Sequence, residues 1–229
     1  MQDPDFQPPV NPLPPVVILL FLAIAGVEAG LSLGEAQIIG GPGAVGWRLG
    51  LIRDYGFSGQ LFDWMVLNGR WPIEHLQRLV TYQFIHQSFG AGLFAMVLLL
   101  ALGKLVAEVM GQVTFLLVFL VSGAFGAAAY AVLLNDPAWL IGAYPGVYGL
   151  IGGYSFVMWR ALSLEGRPQH QAFSLIAMLM GIQLIWGVFF DVGLTWVAEL
   201  AGFFCGFGLC FLLAPGEWAR LRAKIRRRS

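Results

Sequence analysis

The chain has 229 residues, 58% of them hydrophobic and 11% charged, and its mean hydropathy is +0.75. Soluble domains are roughly 45–50% apolar, so this composition excludes a water-soluble fold. The 13 Lys+Arg balance 13 Asp+Glu, which removes the phosphate attraction on which nucleic-acid binders rely, and no nucleic-acid partner is expected.

The start, residues 1–15, is proline-rich and carries two acids and no base. It lacks the positive region of a secretory signal and reads as an extended cytoplasmic tail. A spanning helix needs about 20 predominantly apolar residues. Six segments meet that length, at residues 16–33, 82–103, 113–134, 139–161, 171–190 and 193–214. Each must be helical because lipid offers backbone groups no partner. The expected domain is an all-α six-helix bundle over residues 16–214. Its long first loop, 34–81, carries Trp47, Trp64 and Trp71 among glycines and should lie half-immersed in the outer interface. Both cysteines, Cys205 and Cys210, fall in the last apolar run and act as small hydrophobes.

The final segment, 215–229, contains Arg220, Arg222, Lys224, Arg226, Arg227 and Arg228. Basic residues mark the cytoplasmic side, and Lys104, Arg160 and Arg167 fall on that side too, against Arg48, Arg53, Arg70 and Arg78 outside. Six spans then place both termini in the cytoplasm, where the basic tail should also attract anionic lipid. Among the 30 glycines, Gly142, Gly146, Gly149 and Gly153 should form one packing ridge on the fourth helix. Gly202 and Gly206 should do the same on the sixth, which puts the centre of the bundle at their contact.

Four stretches make the pattern specific: Arg78 to Ser88 (RLVTYQFIHQS), Glu108 to Gly123, Ile141 to Gly153 (IGAYPGVYGLIGG) and Ala198 to Gly206 (AELAGFFCG). In order and spacing the chain resembles the rhomboid intramembrane serine proteases over its six-helix core. The resemblance implies a serine in a Gly-x-Ser-Gly motif opening the fourth helix, and a histidine base on the sixth with glycines three and seven residues later. Here Gly142 opens the first motif, Tyr144 stands at the serine, and Glu199 stands at the histidine ahead of Gly202 and Gly206. His86 matches an outer histidine at the start of the second helix, while Ala91 and Ala95 replace the oxyanion-assisting histidine and asparagine. Tyr148, matching the tyrosine that packs on the catalytic histidine, is retained.

Serine proteolysis needs a hydroxyl activated by a base, plus donors for the developing oxyanion. A phenol at Tyr144, a carboxyl at Glu199 and two alanines supply none of these. The resemblance therefore implies a catalytically inactive member, a pseudoprotease in an integral membrane setting such as the bacterial inner membrane. The dispersed His75, His86 and His170 give no metal cluster, and no cofactor is expected. His86 should hydrogen-bond the loop over the entrance to helix two, and Ser122 and Ser155 should bond back to their own helices.

An ionisable residue inside a spanning helix demands a partner. One reading joins Glu199 to Tyr144 as a latch between helices four and six. Another leaves Glu199 open to a lateral cleft, where it would meet a polar or basic residue of a client segment, since active rhomboids admit substrate helices laterally. Glu28 is expected to add to such a site or to reach lipid headgroups. The expected function is binding of transmembrane segments of other membrane proteins, for assembly, stability or turnover. A protease of divergent mechanism and a fixed subunit of a larger complex are the alternatives.

Overall fold

The computed structural model describes residues 12–134, 136–190 and 193–214. The basic tail, and the proline-rich start up to residue 11, lie outside the described residues. The first helix, α1 (Pro15–Glu35), begins with proline at a position whose N–H has no helical partner. A long connection follows, containing α2 (Trp47–Tyr55), strand β1 (Phe57–Ser58), α3 (Gly59–Asn68) and the single turns α4 (Ile73–Leu76) and α5 (Arg78–Thr81). The hydroxyl of Ser58 caps α3 by accepting from the Leu61 N–H, and Gly69, at φ 59°, ends that helix. Trp47, Trp64 and Trp71 are each partly exposed on this connection.

The remaining long helices are α6 (Phe89–Met110), α7 (Gln112–Leu133), α8 (Tyr144–Leu164), α9 (Ser174–Phe189) and α10 (Trp196–Leu213), with strand β2 (Trp139–Leu140) before α8. Among the described residues, five helices are long and apolar enough to cross a membrane: α1, α6, α7, α10 and α9 with the 3-10 turn that leads into it. The sixth, α8, has the length but not the hydropathy, for a physical reason. It runs through the middle of the bundle, so its glycines and tyrosines face protein and not lipid. The whole is an all-α membrane bundle with one short antiparallel ribbon, in which Phe57 pairs with Leu140 and Ser58 with Trp139.

The second spanning helix departs from expectation by a full two turns. It occupies 89–110, not 82–103, and the first loop runs to Ser88. Tyr82–Phe84 form a 3-10 turn instead, and Tyr82, Gln83, Ile85 and His86 are buried against the bundle. The apolar run thus begins with a folded-back segment, and Ser88 caps the true helix by accepting from the Ala91 N–H at 3.3 Å. At its other end the helix carries Lys104 and Glu108, four residues apart, before Gly111 stops it at φ 91°. Long polar side chains near a helix end reach toward the interface, which lets the helix outrun its apolar stretch.

The expected contact between helices four and six is the centre of the bundle. A Cβ at Gly206 would collide with the Gly149 backbone, and one at Gly202 with the Pro145 carbonyl. Small residues therefore let α8 and α10 touch backbone to backbone. The ridge on α8 differs from the one expected. Gly142 precedes the helix, Gly146 and Gly149 sit against Phe119 and Ser122 of α7, Gly153 faces Cys210, and Gly152 meets the Phe203 carbonyl.

Candidate functional site

Tyr144 and Glu199 line one cavity of ≈ 770 Å³ at the end of the bundle that carries the long connection. Its position follows from local folding. The Gly142 N–H donates to the Tyr82 carbonyl at 3.0 Å, and the Ala143 N–H donates to His86 Nε2 at 3.2 Å. At φ 101°, Gly142 takes a backbone conformation that side-chain-bearing residues avoid. The folded-back 82–86 segment thus aims the turn that delivers Tyr144 as the first residue of α8.

The Tyr144 hydroxyl donates to the Ala91 carbonyl at 3.0 Å, and its ring lies 6.4 Å from that of Phe94. It therefore ties α8 to α6, and the expected hydrogen bond to Glu199 is not formed. Glu199, 4% exposed, instead accepts at Oε2 from Gln183 Nε2 of α9 at 2.6 Å. The Tyr148 phenol lies beside the same carboxyl. Gln183 was not singled out from the sequence, although it is the one amide in the apolar run of α9, and intramembrane polar residues are the usual pointer to a site.

His86 is 1% exposed and sits before α6, not on it. Burial pushes its imidazole down to about 4, with smaller effects from Glu28 and Arg48. At neutral pH the ring is uncharged and Nε2 is free to accept from Ala143, so its Nδ1 holds the proton. His86 thus joins the 85–88 segment to the turn before α8.

Glu28 neither lines the cavity nor reaches the interface. It is 1% exposed and held by Arg48, whose Nη2 lies 2.7 Å from Oε1 and whose Nη1 lies 3.1 Å from Oε2. Arg48 also donates from Nε to Glu35 at 2.6 Å and from Nη1 to the His86 carbonyl at 2.6 Å. These bonds, those to Glu28 first, hold the guanidinium even more firmly protonated than usual. One side chain thereby fastens α1, α2 and the 85–88 segment together. A signal for it is present in the sequence: an acid inside a span needs a base, and Arg48 is among the few within the adjoining loop.

The two other candidate hydroxyls, Ser122 and Ser155, are fully buried, and neither bonds back to its own helix as expected; Ser122 lies instead beside the Cys205 thiol. His75 packs edge-on against Trp64 with 6.1 Å between ring centres, and His170 lies in the 3-10 turn Gln169–Phe173. Among the described residues, no group of three or more His, Cys, Asp or Glu could hold a metal ion. Ala91 lines the cavity and Ala95 is buried on the same helix, and neither side chain can donate to an oxyanion.

No curated protein matches the chain. Residues 74–216, well over half of it, match the profile of the rhomboid domain, a range that begins just before the folded-back segment and ends just after α10. Together with the helices long and apolar enough to span a bilayer, this match shows that the chain belongs to the rhomboid family and is an integral membrane protein.

Proposed function

We propose that this chain is a non-catalytic rhomboid-like protein that binds transmembrane segments of other membrane proteins at its Tyr144–Glu199 cavity, in support of their assembly, stability or turnover. One observation carries the reading. The position of the family's nucleophile holds a phenol committed to the Ala91 carbonyl, and the position of its base holds a carboxyl paired with Gln183. A phenol is a poor acyl acceptor, a carboxyl lacks the two-ended proton transfer of imidazole, and alanines offer no oxyanion donors. What persists is a cavity of ≈ 770 Å³ walled by Phe94, Trp139, Leu179, Ile182 and Trp186, fit to receive an apolar segment. The distribution of basic residues supports an orientation with both termini in the cytoplasm, as in a bacterial inner membrane, with the C-terminal tail drawn to anionic lipid.

A photo-cross-linking residue at Leu179 or Ile182 tests the reading in native membranes, with Val132 of α7, 71% exposed and not part of the cavity wall, as the comparison. Discrete protein adducts from the cavity positions and none from Val132 are expected. Identical adducts from all three positions would refute it.

A further inference from the structure

Glu199 differs from every other buried acid in one respect that bears on what the cavity receives. It is 4% exposed, its hydrogen-bonding neighbours are the neutral Gln183 and Tyr148, and among the described residues no Lys or Arg lines its cavity. The histidine in the wall, His86, is held neutral by burial. Two loop arginines next to cavity-lining residues are engaged elsewhere: Arg48 with Glu28, Glu35 and the His86 carbonyl, and Arg78 with the Arg53 and Gly56 carbonyls while stacked 5.5 Å over Trp139. A carboxylate taken out of water without a counter-charge is expensive, and an arriving cation would remove that cost.

Three further features specify the cation's carrier. The amide oxygen of Gln183 is buried with no hydrogen-bond partner, so it is a second acceptor next to the carboxyl. Phe94, Trp139, Tyr144, Tyr148 and Trp186 surround the cavity, and aromatic faces attract ammonium and guanidinium groups. Gln183 and Thr195 also line an adjoining groove of ≈ 670 Å³ between α9 and α10, whose other described wall residues are apolar, among them Leu184, Val188, Leu194 and Leu200. A largely apolar cavity with an acid and an amide in its wall, adjoining an apolar groove, suits an apolar helix with one charged side chain better than a free ion.

We propose that the segment received here is a transmembrane helix carrying one basic side chain, Lys or Arg, whose charged end reaches Glu199 and Gln183 while its apolar body lies along α9 and α10. This inference rests on the client-binding reading. The test uses the full-length protein in lipid nanodiscs and synthetic Leu/Ala helices of about 20 residues that carry Lys, Arg or norleucine at the depth of Glu199. Interhelical polar contacts in membranes are worth roughly 1–2 kcal/mol in model peptides, so the Lys and Arg helices are expected to bind about tenfold tighter than the norleucine helix. That advantage should vanish in Glu199→Gln, with the thermal melt of the variant confirming that it is folded.

Equal binding of all three helices would overturn the cation proposal and leave client binding standing. Failure of every helix to bind would bring down both. A Lys advantage that persists in Glu199→Gln would place the cation elsewhere. If the advantage is lost when phosphatidylethanolamine is added to amine-free nanodiscs, the carboxyl serves a headgroup amine and the proposal fails.

Discussion

Two buried carboxyls near the same end of this bundle are handled in opposite ways. Glu28 of α1 is met by a bidentate guanidinium from Arg48, which also grips Glu35 and the His86 carbonyl. Glu199 of α10 faces an amide, a phenol and a cavity of ≈ 770 Å³. The first arrangement leaves nothing for a ligand to do, because the buried Glu28 carboxyl has both oxygens taken by Arg48, whose bonds join three chain segments. The second is incomplete by the same measure. The fold can evidently supply a counter-charge to an intramembrane acid, so its absence at Glu199 is a property of that site and not of the scaffold.

The largest effect expected from this contrast is at Arg48. Arg48→Met removes one partner of a buried pair and leaves Glu28 uncompensated, so a destabilisation of about 3–5 kcal/mol is expected. Unfolding in mild detergent would measure it, and pairing the change with Glu28→Gln should recover much of the loss. A smaller effect belongs to the imidazole next to Arg48. Because the folded His86 titrates at about 4 and the unfolded one near 6.5, the unfolded chain takes up the proton first. Stability is then complete above pH 6.5 and declines as pH falls toward 4, by on the order of 3 kcal/mol in total. Melts between pH 6.5 and 5, above the range where exposed carboxyls titrate, should show this slope, and His86→Gln should flatten it.

Tyr144→Phe removes one hydrogen bond, to the Ala91 carbonyl, and should cost about 1 kcal/mol. The smallest change is expected at Glu199. Glu199→Gln keeps an acceptor for Gln183 and Tyr148 and strands no cation, so its stability should stay within about 1 kcal/mol of the parent. A loss at Glu199 as large as that at Arg48 would erase the contrast and return the residue to a purely structural role.

The spans were readable from sequence because lipid permits only helices of a fixed minimum length, and five of the six apolar runs coincide, to within about five residues at either end, with a long helix. The second span was displaced because hydropathy cannot distinguish a residue buried in protein from one facing lipid. Tyr82 to His86 are apolar or aromatic enough to look embedded, yet they fold back against α7 and the turn before α8, with the Tyr82 hydroxyl donating to the Gly123 carbonyl at 2.8 Å. Positions 144 and 199 could be placed in one cavity through the family resemblance, since α8 and α10 meet through glycines. Their partners could not. Whether Tyr144 turns to Glu199 or to Ala91 depends on side-chain direction at a helix start, and Gln183 reaches Glu199 from a helix whose register no motif fixes. The Arg48 cluster joins residues 20 apart in the chain through a loop whose path the sequence leaves open.

The most direct test of the central claim places the purified full-length chain in proteoliposomes with a transmembrane segment that active rhomboids cleave. No cleavage product is expected, from the parent or from any serine variant. A product that forms with the parent and disappears when one particular serine is replaced would contradict it.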